Sequence, residues 1–158
     1  MGSSDPPAPL FDGLIVDLDG VVWIGASAVP GSVAALRELR RQGVRLLFVT
    51  NDPRGSRTDY AAQLQGLGID ADESEIVTSS SALASLLGRE PPGETAYVIG
   101  SPALKAELGA AGLRLLDGDA GRDADVVAVG GHVGFGAARH QELGNARVHP
   151  VDRRPRLA

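Results

Sequence analysis

Short apolar runs, each closing on polar residues or glycine and each followed by a stretch of helical periodicity, recur along this 158-residue chain. Gly13-Leu-Ile-Val-Asp17 opens the series. It is rich in β-branched residues and ends in a carboxylate shortly before Gly20, the pattern of a buried parallel strand. A loop closed by Pro30-Gly31 leads to Val33, Leu36 and Leu39 at helical spacing, with Arg37, Arg40 and Arg41 between them and Gly43 as a stop. Val44–Thr50 is the next buried strand, and Ser56-Arg-Thr-Asp59 has capping-box spacing ahead of a helix running to Leu67-Gly68. The alternation continues with a strand over Glu75–Thr78, a helix over Ser80–Leu87, a strand over Thr95–Ile99 and a helix over Pro102–Ala111. Leu113–Leu116 and Asp125–Val129 read as further strands. Repeated strand–helix units predict an α/β fold on a parallel sheet with right-handed crossovers.

Composition narrows the classes this fold can serve. With 43% hydrophobic and 22% charged residues the chain can bury a core. No apolar stretch approaches the roughly 18–20 residues of a spanning helix, so a membrane partner is not expected. The absence of cysteine removes disulfides, thiolate metal sites and a Cys nucleophile. A net charge of −5 argues against nucleic acid as the main partner, since affinity for the phosphate backbone comes from clustered Lys and Arg. Residues 1–10 lack the basic-then-apolar order of a secretory signal; they read as a mobile lead-in, and the cytoplasm is the default compartment. Gly88-Arg-Glu-Pro-Pro-Gly93 is the expected boundary between a first part, 11–88, and a second, 89–136. Residues 137–158 carry five arginines against Glu142 and Asp152 and read as a basic, poorly ordered tail.

Ligands of open parallel sheets bind outside the carboxyl ends of the strands. The first strand delivers Asp17-Leu-Asp-Gly-Val21 there and the second delivers Thr50-Asn-Asp52. Two carboxylates two residues apart repel unless a cation lies between them. Mg²⁺ suits the pair, because it prefers oxygen ligands and commonly takes about one or two carboxylates together with substrate phosphate. Asp17 could then attack phosphorus as a nucleophile, while Asp19 protonates the leaving oxygen and later activates water. The Thr50 hydroxyl and the amides around Asn51 supply neutral donors to the phosphate oxygens, with Gly20, in the turn just after the acids, as a further phosphate-binding candidate.

Leu14-Ile-Val-Asp-Leu-Asp-Gly-Val-Val-Trp23, Val29-Pro-Gly-Ser32, Leu47-Phe-Val-Thr-Asn51, the Tyr60…Leu64…Leu67-Gly-Ile69 series and Glu75-Ile-Val-Thr-Ser79 together resemble the haloacid dehalogenase (HAD) superfamily. The likeness is to subfamily IIA, the NagD-like and p-nitrophenylphosphatase-like phosphatases, over roughly residues 11–135. It implies a Rossmann-like core over 11–88, with Asp17 as phosphoryl acceptor, Asp19 as general acid and base, Mg²⁺ on the Asp17 carboxylate and the Asp19 main-chain carbonyl, and phosphate on Thr50 and Asn51. Residues 89–136 resemble the opening of the α/β cap that this subfamily inserts, and a small phosphate ester is the implied substrate.

Departures from the pattern shape a second expectation. Asp52 stands where the family has a second Asn, an added negative charge unless it points away or binds metal. The family's later Lys and its second acidic metal motif have no counterpart: Lys105 is the only lysine and reads as surface charge, and Asp117-Gly-Asp119 is the nearest acidic mimic. The alternative is therefore a catalytically incompetent HAD fragment or a phosphate-binding module, with an open sheet edge and exposed apolar faces. A two-component receiver domain fits less well, because its early acidic pair is adjacent. Trp23 reads as packing under the first loop. Gly130–Gly136 reads as a flexible turn or cap loop, and His132, His140 and His149 as surface or loop histidines.

Overall fold

The computed structural model describes residues 11–89 and 94–131. The lead-in, the tail, the three histidines, the part of the glycine loop after Gly131 and the Glu90–Gly93 part of the expected boundary lie outside them. Among the described residues, eight strands and four α-helices follow one another in the order the periodicity predicts, with a hairpin and two short 3-10 turns (Glu73–Glu75 and Gly118–Asp123) added. β1 (Gly13–Asp17) is followed by a hairpin of two-residue strands, β2 (Trp23–Ile24) and β3 (Ser27–Ala28), where the sequence suggests only a loop.

α1 (Ser32–Arg41) starts after Gly31, which adopts φ +87°, and buries Leu36, while Arg40 and Arg41 sit in its last turn, where the carbonyl end of the helix dipole favours cations. β4 (Arg45–Thr50) precedes α2 (Arg57–Gly66). The expected box is present at the start of α2: the Ser56 hydroxyl accepts from the Asp59 amide, and the Asp59 carboxylate accepts from the Ser56 amide. β5 (Ile76–Thr78) and α3 (Ser79–Leu87) follow, joined by a second reciprocal cap between Thr78 and Ser81. Beyond the boundary come β6 (Thr95–Gly100), α4 (Pro102–Ala110), β7 (Arg114–Leu116) and β8 (Val126–Gly130).

The strands form two parallel sheets, ordered β1-β4-β5 and β7-β6-β8. Leu46, Phe48, Leu64, Ile76, Leu36 and Trp23 share the core of the first. Val98, Leu104, Leu108, Leu113 and Ala84 share that of the second. Ala84 belongs to α3, so hydrophobic packing divides the chain one helix ahead of residue 88.

One expectation needs correction. Among the described residues β1 is not a buried strand: it lies at the edge of its sheet, and alternation leaves Gly13, Ile15 and Asp17 exposed, Ile15 at 72%. α1 and α2 cover only the face that carries Leu14, Val16, Leu46 and Phe48. The opposite face holds an open groove of about 380 Å³ between Ile15, Leu47, Arg45 and Glu75.

Candidate active site

The carboxyl end of the first sheet is built by two strand ends in fixed register. Asp17 pairs with Val49, so the loop after β1 and the loop after β4 leave the sheet side by side. The Leu18 amide donates both to the Val49 carbonyl (3.1 Å) and to Asp17 Oδ1 (3.0 Å), which ties the nucleophile candidate to its own turn. Gly20 then adopts φ +84°, a conformation that costs glycine little and a side chain much. Its amide donates to the Trp23 carbonyl at 2.7 Å, and the Leu18 carbonyl accepts from Val22 and Trp23, closing a tight turn around the two acids.

This turn brings Asp19 against β4. The Thr50 hydroxyl donates to Asp19 Oδ2 at 3.3 Å and accepts from the Asp52 amide at 3.0 Å. The Trp23 indole N–H donates to Asp19 Oδ1 at 3.2 Å. Asp19 is thus held from two elements at once. Thr50 is buried and Asp17 and Asp19 are exposed, so the acids face solvent.

The remaining candidates are placed as follows. Gly20 forms the turn. Asn51 is exposed, and its backbone carbonyl accepts from the Ser79 hydroxyl at 3.1 Å, which fixes the loop after β4 to the start of α3. Among the described residues, no hydrogen bond joins Asp17 to Asp19 or Thr50. The negative charge of Asp52 is turned onto Arg54, whose guanidinium reaches both carboxylate oxygens at 2.7–3.0 Å. That guanidinium, first among the causes, holds the Asp52 carboxyl below its usual range. Tyr60, whose hydroxyl donates to the Asp52 carbonyl at 3.1 Å, is itself pushed up chiefly by burial. Asp117 and Asp119 are exposed and lie beside Lys105 and Arg122 at 3.6 and 3.7 Å, as surface charges do.

Sequence reasoning missed the Trp23–Asp19 bond, the anchoring of Asn51 by Ser79, and the Arg54 partner of Asp52. Only the last had a signal, an acid and a base two residues apart in a loop.

The donor chemistry fits a hard cation. Two exposed carboxylates two residues apart at a strand end match the small protein share that Mg²⁺ usually takes beside phosphate. Among the described residues, no group of three His, Asp or Glu side chains forms a fuller cage.

The family model described as haloacid dehalogenase-like hydrolase matches residues 14–114, and the chain belongs to that family. It is 44% identical over 104 residues to the glycerol-3-phosphate phosphatase of Gallus gallus, covering 65% of this chain and 33% of that one. It is 41% identical over 123 residues to chronophin of Mus musculus, covering 74% of this chain and 42% of the relative. The chain thus spans well under half the length of these relatives. A glycerol phosphate phosphatase from Mycobacterium tuberculosis, solved in complex with magnesium, superposes with a TM-score of 0.75 at 35% identity, over 85% of this chain and 40% of that one. The likeness includes the α/β architecture of parallel sheets and helices. No helix among the described residues is long and apolar enough to cross a membrane.

Proposed function

We propose that this chain carries the catalytic end of a Mg²⁺-dependent phosphatase acting on a small phosphate monoester. The observation that supports it best is the hydrogen bond from Thr50 to Asp19, which links the phosphate-loop candidate to the acid–base candidate across two strand ends. The Asp17 carboxylate and the Asp19 main-chain carbonyl are the groups that would hold the ion, which would neutralise phosphate charge so that an anionic nucleophile can approach and would leave the Asp19 side chain free to carry a proton. An Asp17 oxygen attacks phosphorus and the bond to the ester oxygen breaks. Asp19 gives its proton to that oxygen, which leaves as the alcohol. Asp19 then takes a proton from the water that attacks the aspartyl phosphate, releasing inorganic phosphate and restoring Asp17. The loop amides donate to the phosphate oxygens through both steps, and the Thr50 hydroxyl joins them when its proton turns from Asp19 to phosphate. Diversion of the Asp52 charge onto Arg54 supports the same reading, because it relieves repulsion at the loop. Glycerol phosphate is the first substrate to try, given the relatives' names, and the cytoplasm is the compartment in which to look.

The test is Mg²⁺-dependent hydrolysis of p-nitrophenyl phosphate and glycerol phosphate by the chain and by Asp17→Asn. Turnover that the substitution removes is the expected result; equal rates for the two reject it. A second reading, phosphate binding without turnover, is favoured by the position of Lys105, the chain's only lysine. It lies on α4, half-exposed and near Asp117 rather than at the strand ends. Saturable binding of inorganic phosphate with no hydrolysis would select it.

A further inference from the structure

The chain's only tryptophan is buried to 3% exposure, yet it is not merely filler under a loop. A buried indole N–H needs an acceptor, and leaving one unmet costs more than the bond itself returns. Trp23 finds its acceptor in Asp19 Oδ1 at 3.2 Å. The geometry that allows this is specific. Gly20, at φ +84°, reverses the chain, its amide donates to the Trp23 carbonyl, and an isolated bridge pairs Asp19 with Trp23. The ring cannot easily leave, because it stacks on Tyr60 with centroids 6.4 Å apart and planes 12° apart. Tyr60 in turn is fixed by its hydroxyl on the Asp52 carbonyl. One carboxylate oxygen therefore points to a rigid aromatic pair and the other to Thr50.

We propose that Trp23 is a positioning residue: its indole N–H fixes the Asp19 carboxylate so that Oδ2 is presented beside Thr50, toward the phosphoryl group. The role rests on the phosphatase reading, since the proton transfers assigned to Asp19 need heavy-atom distances of roughly 2.6–3.2 Å. A carboxylate free to rotate spends less time within that range. Trp23 touches neither substrate nor ion; it acts through Asp19.

A single tryptophan gives a single indole N–H cross-peak in the ¹H–¹⁵N spectrum of the whole chain, so the bond can be read without turnover. Asp19→Ala, at an exposed position, is expected to move that peak and to speed its solvent exchange about tenfold, as loss of a hydrogen bond to a charged group implies. Trp23→Phe keeps an aromatic ring beside Tyr60 while deleting the donor together with the five-membered part of the indole. It is expected to lower kcat for p-nitrophenyl phosphate about tenfold while KM stays within about twofold, a split that general loosening of the fold does not produce. An indole peak that Asp19→Ala leaves unmoved, or Trp23→Phe turning over at the parent kcat, overturns the positioning role. Lack of any Asp17-dependent turnover in the parent chain instead overturns the phosphatase reading and, with it, the catalytic purpose of the bond. The indole spectrum separates these two failures.

Discussion

The two parallel sheets have three strands each, but their carboxyl ends are put to different uses. The second sheet is ordered β7-β6-β8, so the strand order reverses between β6 and β8, where an open α/β sheet forms a crevice for ligand. Topology alone points there. That crevice is instead taken up by the chain itself. Pro53, from the loop after β4, lies against Gly130 and Gly131, and its carbonyl accepts from the buried Ser101 hydroxyl at 2.5 Å. A side chain at Gly131, which already adopts φ +65°, would meet that same carbonyl at 2.9 Å. The first sheet runs β1-β4-β5 without a reversal among its described strands, yet it presents Asp17, Asp19 and Thr50. A crevice in the fold marks where something can dock; only the side chains at its rim decide whether that is a ligand or another loop. Here the docked loop is the one that carries the phosphate-binding candidates, so the second sheet braces the first sheet's site.

If bracing is real, the two cores stand or fall together. Phe48 and Leu108 are both fully buried, one in each core, and truncation to Ala should cost ~3–5 and ~2–5 kcal/mol respectively. Besides Ser101 and Pro53, the halves are joined by the Arg57–Glu107 ion pair at 2.9 Å and by α3, which leaves the first sheet but packs in the second core. Urea unfolding followed by both fluorescence and circular dichroism should show one shared transition moving down in either variant. Two separated transitions in Phe48→Ala would break the comparison, leaving two independent units that merely adjoin.

A smaller and more local blow is Ser101→Ala. Its hydroxyl caps α4 by accepting from the Leu104 amide at 3.1 Å while donating to Pro53, so one substitution uncaps a helix and strands a carbonyl. The loss should be about 1–3 kcal/mol, from a cap and an unmet acceptor together. More telling than the stability is the site: inorganic phosphate should bind more weakly, because the loop bearing Thr50 and Asn51 loses its far anchor. Unchanged phosphate affinity beside a lowered Tm would show that Ser101 serves the second sheet alone.

Much of this was legible in the residues, and the gaps have physical reasons. The strands ending in Asp17 and Thr50, the helix between them and the Ser56–Asp59 box follow from local pattern, because period and capping are properties of adjacent residues. The Pro- and Gly-rich run at 88–93 signalled two parts, but not the strand order inside each, since alternation of strand and helix says nothing about which strands pair. Nor was the edge position of β1 legible: Leu14, Ile15 and Val16 read identically whether one or both flanks are covered, and only the pairing shows Ile15 open to solvent. The β2–β3 hairpin has strands too short to show a period. At the site, residue types at strand ends named Asp17, Asp19 and Thr50. The Trp23 bond to Asp19 depends on the turn at Gly20, whose shape no periodicity encodes.

The finest contrast lies between two carboxylates, one in each half, that are both held below the usual carboxylate range by different means. For Asp52 the leading cause is the Arg54 guanidinium; for Asp125 it is the Thr95 hydroxyl, at 2.6 Å, with the Thr95 amide at 2.8 Å. The sign is the same for both. A pKa lowered by folding adds stability at pH values above the unfolded value, and that stability is lost as pH falls through the folded one. Both should therefore contribute to acid unfolding, and Asp125→Asn should flatten part of the fall in Tm below the ordinary carboxylate range. Salt separates the two mechanisms. At about 1 M the screening length is ~3 Å, so the exposed Arg54 charge is muffled while a bond to a neutral hydroxyl is not. Carboxyl ¹³C titrations at low and high salt should show Asp52 moving back toward its usual value and Asp125 staying low. If both move alike, the nearby Arg114, only a lesser cause of the Asp125 shift, is the real partner, and the second sheet's clasp is electrostatic after all.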